Sequence, residues 1–258
     1  MTFFQAFILA LVQGLTEFLP ISSSGHLAVL PFILKFDKPS LFFDILVHMG
    51  TLLAVVFFLR VELWEIIQGI LKNSKASWIL VGKILLAVVP AGLAGVLLKD
   101  QIEPLFSNPA RVGWAYFGTM LILFLMVLFY KGKKTMADLS WTDALIIGLF
   151  QAMALVPGFS RSGFTLFGAL LVGMKKTDAL RFSFLISIPA ILGAFVLELG
   201  TMESNPVTPG IALVALVVAA LSGFGAILLL KHYLKNSRLH MFGLYCLGMG
   251  ILLVSLFR

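Results

Sequence analysis

The sequence predicts an all-α, polytopic membrane protein built from two inverted repeats, each a re-entrant helical hairpin followed by three transmembrane helices. Three observations predict it. First, 60% of the 258 residues are hydrophobic and only 12% charged, with a mean hydropathy of +1.05, whereas soluble domains are about half apolar and about a quarter charged. Second, the apolar residues gather into runs close to the ~20 residues a helix needs to cross a hydrocarbon core of about 30 Å. Third, two polar stretches interrupt those runs with a common layout, QGLTEFLPISSSGH at 13–26 and, 138 positions on, QAMALVPGFSRSG at 151–163.

Five apolar segments fill each half of one integral membrane domain, 1–258. In the first repeat, 1–135, they are 3–19, 26–36, 42–60, 77–98 and 110–130. In the second, 136–258, they are 141–157, 163–174, 179–199, 209–230 and 238–257. The last three of each half are long enough to span. Segments 26–36 and 163–174 are too short, and each follows a break containing Pro, Ser and Gly that ends one helix and caps the next. Such a pair reads as a hairpin that enters the membrane, turns near its middle and leaves on the same side. Irregular backbone at that depth needs protein or a wet cavity around it. A single kinked span from 3 to about 33 is the alternative; it would leave Ser22, Ser23, Ser24 and His26 seeking partners along one continuous helix.

Gln13 matches Gln151, and Ser22-Ser23-Ser24-Gly25 matches Ser160-Arg161-Ser162-Gly163 at the same offset, while Pro20 and Pro157 fall one position out of step. A hairpin plus three crossings turns the second half upside down, which places a site at the midplane between two broken helices. With both hairpins re-entrant, one face receives Arg60, Lys72, Lys75, Lys131, Lys133, Lys134, Lys175, Lys176, Arg181, Lys231, Lys235 and Arg238. The other receives Lys35, Lys38, Lys99, Arg111 and Arg258, with Glu203 in the connection 199–209. The base-rich face is then cytoplasmic, and both termini and the mouth of the first hairpin face outward.

The net charge of +7 is spread over these connections rather than over a basic face interleaved with aromatics, which excludes nucleic acid as a partner. The single cysteine, Cys246, excludes an intrachain disulfide. No basic n-region or cleavage site opens the chain, so its start belongs to the fold. Lys83 is expected to snorkel to the cytoplasmic surface, and Pro90 and Pro189 to kink spans.

The chemistry-bearing residues are few. Glu17 is the one acidic residue well inside an apolar segment, where an ionised side chain costs about 2.5–3.5 kcal/mol and marks a functional position by default. Gln13, four residues earlier, shares its helical face, and the pair could bind a divalent cation or orient a hydroxyl. Structural pairing of Glu17 with Arg161 is the plainer reading. Arg161 is the one arginine outside loops and segment ends; a guanidinium at a half-helix N-terminus makes an oxyanion site. Ser160, Ser162 and Gly163 add hydroxyls and close backbone approach, and phosphate is the anion favoured there. Ser23 and His26, three apart, can act as nucleophile and base, or His26 can attack directly. His48 either lines the cavity or bonds a neighbour, the latter preferred; His232 and His240 read as interfacial.

In combination these motifs resemble the undecaprenyl-diphosphatase family, the bacitracin-resistance phosphatases of bacterial membranes. The resemblance covers nearly the whole chain and rests on Gln13 and Glu17 as an (E/Q)xxxE element, on LPISSSGH after it, and on PGFSRSG at 157–163. It implies hydrolysis of undecaprenyl diphosphate to the monophosphate, Mg2+ or Ca2+ dependence, a bacterial plasma-membrane location and a site open to the periplasm. The family's functional positions fall on Gln13, Glu17, Ser22, Ser23, His26, Ser160, Arg161 and Ser162, with Ser23 as the favoured nucleophile and Gln13 and Glu17 as metal ligands. Gln13 departs mildly from a pattern that also admits a carboxylate, which weakens any mechanism needing two carboxylates on the metal; some members have threonine where Ser24 stands. The expected partners are the lipid substrate and membrane lipids, and a homodimer is compatible with the chain.

Two other classes compete. Broken helices meeting at the midplane are transporter architecture, so a flippase for polyprenyl phosphates could use the same site without needing Ser23. Gly158-Phe159-Ser160 also reads as the GxS of an intramembrane protease, whose base could only be His48.

Overall fold

A computed structural model describes residues 1–36, 39–130, 132–199 and 207–257, without the side chains at 129, 198 and 199. Twelve α-helices are seen among them and no β-strand. The first-half helices are α1 (Phe3–Phe18), α2 (Ser23–Leu34), α3 (Leu41–Phe58), α4 (Arg60–Leu71), α5 (Lys75–Leu97), α6 (Lys99–Ile102) and α7 (Pro109–Phe129). The second half contributes α8 (Trp141–Met153), α9 (Arg161–Leu171), α10 (Lys176–Leu199), α11 (Pro209–Lys235) and α12 (His240–Leu256). Five helices, α3, α5, α7, α10 and α11, are long and apolar enough to cross a membrane. The chain is a multi-pass membrane protein. The sixth expected span, α12, has 17 residues, or about 26 Å at 1.5 Å per residue.

Two departures from the sequence reading have local causes. Helix α4 occupies what reads as a connection, because Arg60, Glu62 and Glu65 interrupt its hydropathy without interrupting its helical spacing; none of its residues is buried. Helix α8 stops at Met153 rather than 157, since turns already precede Pro157, whose ring would clash with a continuing helix.

The two ends of the bundle can be told apart by their contacts. At one end Arg181 meets Glu62 at 3.0 Å, Lys176 Nζ donates to Ser237 Oγ at 2.5 Å, and Lys134 pairs with Met174 across a lone β-bridge. Lys83 does not reach a surface: it is buried and donates to the Leu139 carbonyl there, which satisfies the ammonium inside the bundle. The connections 59–75, 132–140, 172–176 and 236–239 therefore share this basic end. Helix α5 runs from it to the opposite end, and α11 returns from that end to it.

These markers locate the hairpins. The start of α1 lies at the opposite end, where a Cβ on Gly210 would sit 3.1 Å from the Phe3 ring, and α2 finishes there too, its Phe32 ring 6.5 Å from that of Phe257. Helix α8 starts at the basic end, with Asp143 2.9 Å from Lys134, and α9 leaves beside Met174 at that same end. Each pair folds back on itself, α1 on α2 and α8 on α9. All four are shorter than a span, 16, 12, 13 and 11 residues.

The packing partners exchange between halves: α1 lies along α11 as α8 lies along α5, and α3 on α11 as α10 on α5. Close approach of backbones needs small residues in membrane bundles. A Cβ on Gly14 of α1 would stand 2.7 Å from the Ala219 carbonyl oxygen of α11, and one on Gly148 of α8 2.6 Å from that of Ala87 on α5. Glu203, Lys38, Lys131 and Arg258, used in the charge count, lie outside the described residues.

Candidate active site

The site forms where the two hairpin breaks touch. Ser22 caps α2, its Oγ accepting from Gly25 N at 3.2 Å, and Ser160 caps α9, accepting from Gly163 N at 3.2 Å. The caps are then stitched together. Ser22 Oγ also accepts from Gly158 N at 3.2 Å, and Ser162 Oγ donates to the Leu19 carbonyl at 3.1 Å. Thr119 of α7 braces the second break, donating to Gly158 O at 2.9 Å and accepting from Ser160 N at 3.0 Å. Ser22 holds a φ of 65° and Gly158 one of 101°. The left-handed region costs a residue with a side chain stability; the shared hydrogen bond offsets that cost at Ser22. Gly158 could not carry a side chain, since its Cβ would stand 2.5 Å from the Val112 carbonyl oxygen.

This stitching brings the deep carboxylate and the deep guanidinium into contact. Arg161 Nη2 donates to Glu17 Oε1, and Nη1 lies 3.5 Å from the Ser187 carbonyl of α10. The other carboxylate oxygen, Oε2, accepts from Ser23 Oγ at 2.5 Å and from Gln13 Nε2 at 2.9 Å. His48 Nε2 stands 4.0 Å from the same oxygen. Glu17 is nearly enclosed, with 5% of its side chain exposed, and Arg161 keeps 22%. An ion pair this enclosed survives desolvation only when its remaining lone pairs are bonded, and here serine and glutamine bond them.

A cavity of about 1150 Å3 opens onto this cluster. Glu17, Ser23, Ser24, His48, Gln151, Ser160 and Arg161 line its floor, and apolar residues of α2, α3, α5 and α10 form its walls. Its rim carries Pro39, Asp100, Glu103 and Ser107, so it opens away from the basic end. Of the residues expected to bind phosphate, Ser160 and Arg161 face the cavity. Ser22, Ser162 and Gly163 do not; they tie the tips.

His26 is not beside the Ser23 hydroxyl. Its Nδ1 lies 2.7 Å from the Ser22 carbonyl and 2.8 Å from Tyr116 Oη, and its Nε2 lies 2.6 Å from Tyr245 Oη. A carbonyl only accepts, so Nδ1 bears the proton and Nε2 accepts from Tyr245. The ring stacks on Tyr245 with centroids 5.7 Å apart and is absent from the cavity wall. Both nitrogens bond groups other than Ser23, whose hydroxyl instead meets Glu17 Oε2. His48 does more than expected, bonding Asp44 O at 2.7 Å through Nδ1 while its other nitrogen faces the cavity. Tyr116, Tyr245 and Thr119 were not singled out from sequence. The available signal was their polar groups inside apolar helices, where each must find a partner.

The expected cation site at Gln13 and Glu17 does not fit this arrangement. Three of about four acceptor positions on the carboxylate are taken by Arg161, Ser23 and Gln13. Gln13 gives its amide nitrogen to Glu17; the residue is fully buried, its Oε1 has no hydrogen-bond partner, and it does not line the cavity. Among the described residues no three His, Cys, Asp or Glu gather as a metal cluster.

Residues 6–252 match the family model described as bacitracin resistance protein BacA. The chain belongs to the BacA family. It is 43% identical over 244 residues to the undecaprenyl-diphosphatase of Thermosipho melanesiensis, with 95% of each chain covered. It is 40% identical over 242 residues to that of Methanococcus maripaludis, covering 94% of this chain and 95% of the other. A Bacillus thuringiensis relative named undecaprenyl-diphosphatase 4 is 37% identical over 259 residues, covering 99% and 98%. The BacA match takes in both hairpin breaks and so every residue of the cluster.

Proposed function

We propose that this BacA-family chain is an integral-membrane phosphatase that hydrolyses undecaprenyl diphosphate to undecaprenyl phosphate and inorganic phosphate. It thereby returns the lipid carrier to peptidoglycan synthesis and confers resistance to bacitracin. The observation that carries the reading is the Ser23 hydroxyl held 2.5 Å from Glu17 Oε2 on the floor of a cavity whose other charged wall is Arg161.

The diphosphate enters the cavity while its prenyl chain stays against the apolar walls or in lipid. Ser23 Oγ attacks the terminal phosphorus as its proton passes to Glu17; the new Oγ–P bond forms and the anhydride P–O bond to the lipid phosphate breaks. Arg161, with spare N–H donors, and Ser160 at the α9 N-terminus oppose the charge that develops on the phosphoryl oxygens. A divalent cation, Mg2+ or Ca2+, would enter with the substrate and would neutralise phosphate charge, as hard cations do in phosphate sites; Gln13 and Glu17 are bonded to each other, and Glu17 also to Ser23 and Arg161.

The cavity rim lies at the end away from the basic connections, which supports a site open to the periplasmic face of a bacterial plasma membrane with both termini outside. Phosphate release from undecaprenyl diphosphate by purified protein tests the reading, with losses of at least about a hundredfold expected for Ser23→Ala and Arg161→Ala. Hairpins meeting tip to tip also favour a second reading, transport of a polyprenyl phosphate. Protein that binds the lipid diphosphate yet releases no inorganic phosphate decides for transport.

A further inference from the structure

We propose that His48 is the general base that activates the water discharging phosphoryl-Ser23, an inference that rests on the serine-nucleophile reading above. The geometry assigns one nitrogen of this ring to the scaffold and leaves the other for chemistry. Nδ1 lies 2.7 Å from the Asp44 carbonyl, which can only accept, so Nδ1 carries the proton and Nε2 of the neutral ring presents a lone pair. That lone pair faces Glu17 Oε2 at 4.0 Å, too far for a direct hydrogen bond and a suitable gap for one bridging water.

Ser23 Oγ stands against the same carboxylate oxygen, so the imidazole and the nucleophile share it as a neighbour, and both residues line the cavity. The charged groups around the ring are Glu17 on α1, Arg161 on α9 and Asp44 on its own helix, all on the cavity wall. His26 offers no alternative, with both its nitrogens held elsewhere.

The assignment resolves a difficulty in the first half-reaction. Glu17 leaves that step as a neutral carboxylic acid, holding the serine proton, and cannot then take a proton from water. In the second step water attacks phosphorus and gives a proton to His48 Nε2. The new O–P bond forms, the Oγ–P bond breaks, and Glu17 returns its proton to Ser23 Oγ. His48 releases its proton to the cavity with the departing phosphate.

The test is rapid-quench kinetics on the full-length protein in detergent, following undecaprenyl phosphate and inorganic phosphate separately. His48→Gln and His48→Ala should release one undecaprenyl phosphate per enzyme in a burst, which also shows that the variants fold and bind. Phosphoserine should then accumulate at Ser23, seen by mass spectrometry, while steady phosphate release falls about a hundredfold or more, the usual scale for general bases. Added imidazole should restore phosphate release in His48→Ala. Two products released in step, with no phosphoserine and an inert Ser23→Ala control, overturn the role of His48 alone, as does loss of the first turnover. A Ser23→Ala protein that still turns over removes the covalent reading beneath it.

Discussion

Replacing Glu17 with glutamine keeps the length and shape of the side chain and removes only its charge and basicity. In the wild type one oxygen of this carboxylate receives the Ser23 hydroxyl at 2.5 Å and the other receives Arg161. The neutral amide cannot take the serine proton, and the loss of a positioned general base costs about 10²–10⁴ in rate, or about 3–5 kcal/mol of barrier. Stability suffers separately. Breaking a fully buried ion pair by removing one partner costs about 3–5 kcal/mol. Arg161 still has 22% of its side chain open to the cavity, which places the expected cost at the lower end of that range, about 3 kcal/mol. Phosphate release from undecaprenyl diphosphate, measured beside a thermal unfolding curve, separates the two effects. A folded Glu17→Gln protein working within threefold of the wild-type rate refutes the reasoning.

Three further outcomes follow from the same geometry. Gly158→Ala should lose most of its folded yield and activity, because the position combines a φ of 101° with a carbonyl oxygen 2.5 Å from any Cβ; a thermal melt unchanged from wild type contradicts the tip-stitching account. Tyr245→Phe removes the donor to His26 Nε2 and should destabilise by about 1 kcal/mol while slowing phosphate release less than tenfold; a hundredfold loss returns His26 to the chemistry. Gln13→Leu should leave the cation concentration for half-maximal rate within threefold of wild type, as a substrate-borne ion requires, whereas a tenfold shift places the ion on the protein.

Much of this site was legible in the sequence because its signals are local. Glu17 and Arg161 stand out as charges in apolar surroundings, and Ser22 and Ser160 as caps after broken helices. The second arm of each hairpin, 26–36 and 163–174, could be recognised by its shortness after a break containing Pro, Ser and Gly. What was hidden depends on long-range packing. The tyrosine partners of His26 lie 90 and 219 residues away, so its spacing of three from Ser23 suggested a pair, whereas the ring bonds those tyrosines and the Ser22 carbonyl. His48 gave no hint that one ring nitrogen would be pinned by its own helix and the other aimed at Glu17. Helix α4 escaped because hydropathy reads charge, while helix formation reads propensity and spacing. Lys83 escaped for a related reason, since a buried carbonyl partner at Leu139 is invisible from α5.

The account depends on the two hairpin tips touching, and a designed disulfide measures that contact. A Cβ on Gly163 would stand 3.3 Å from that of Pro20, close to the ~3.5–4.5 Å that cysteine pairs bridge. In a Cys246→Ala background, Pro20→Cys with Gly163→Cys should oxidise within one chain in membranes, losing two hydrogens by intact mass and no longer reacting with maleimide. Two thiols that stay free and label independently under the same oxidant would place the hairpins apart and contradict the shared site.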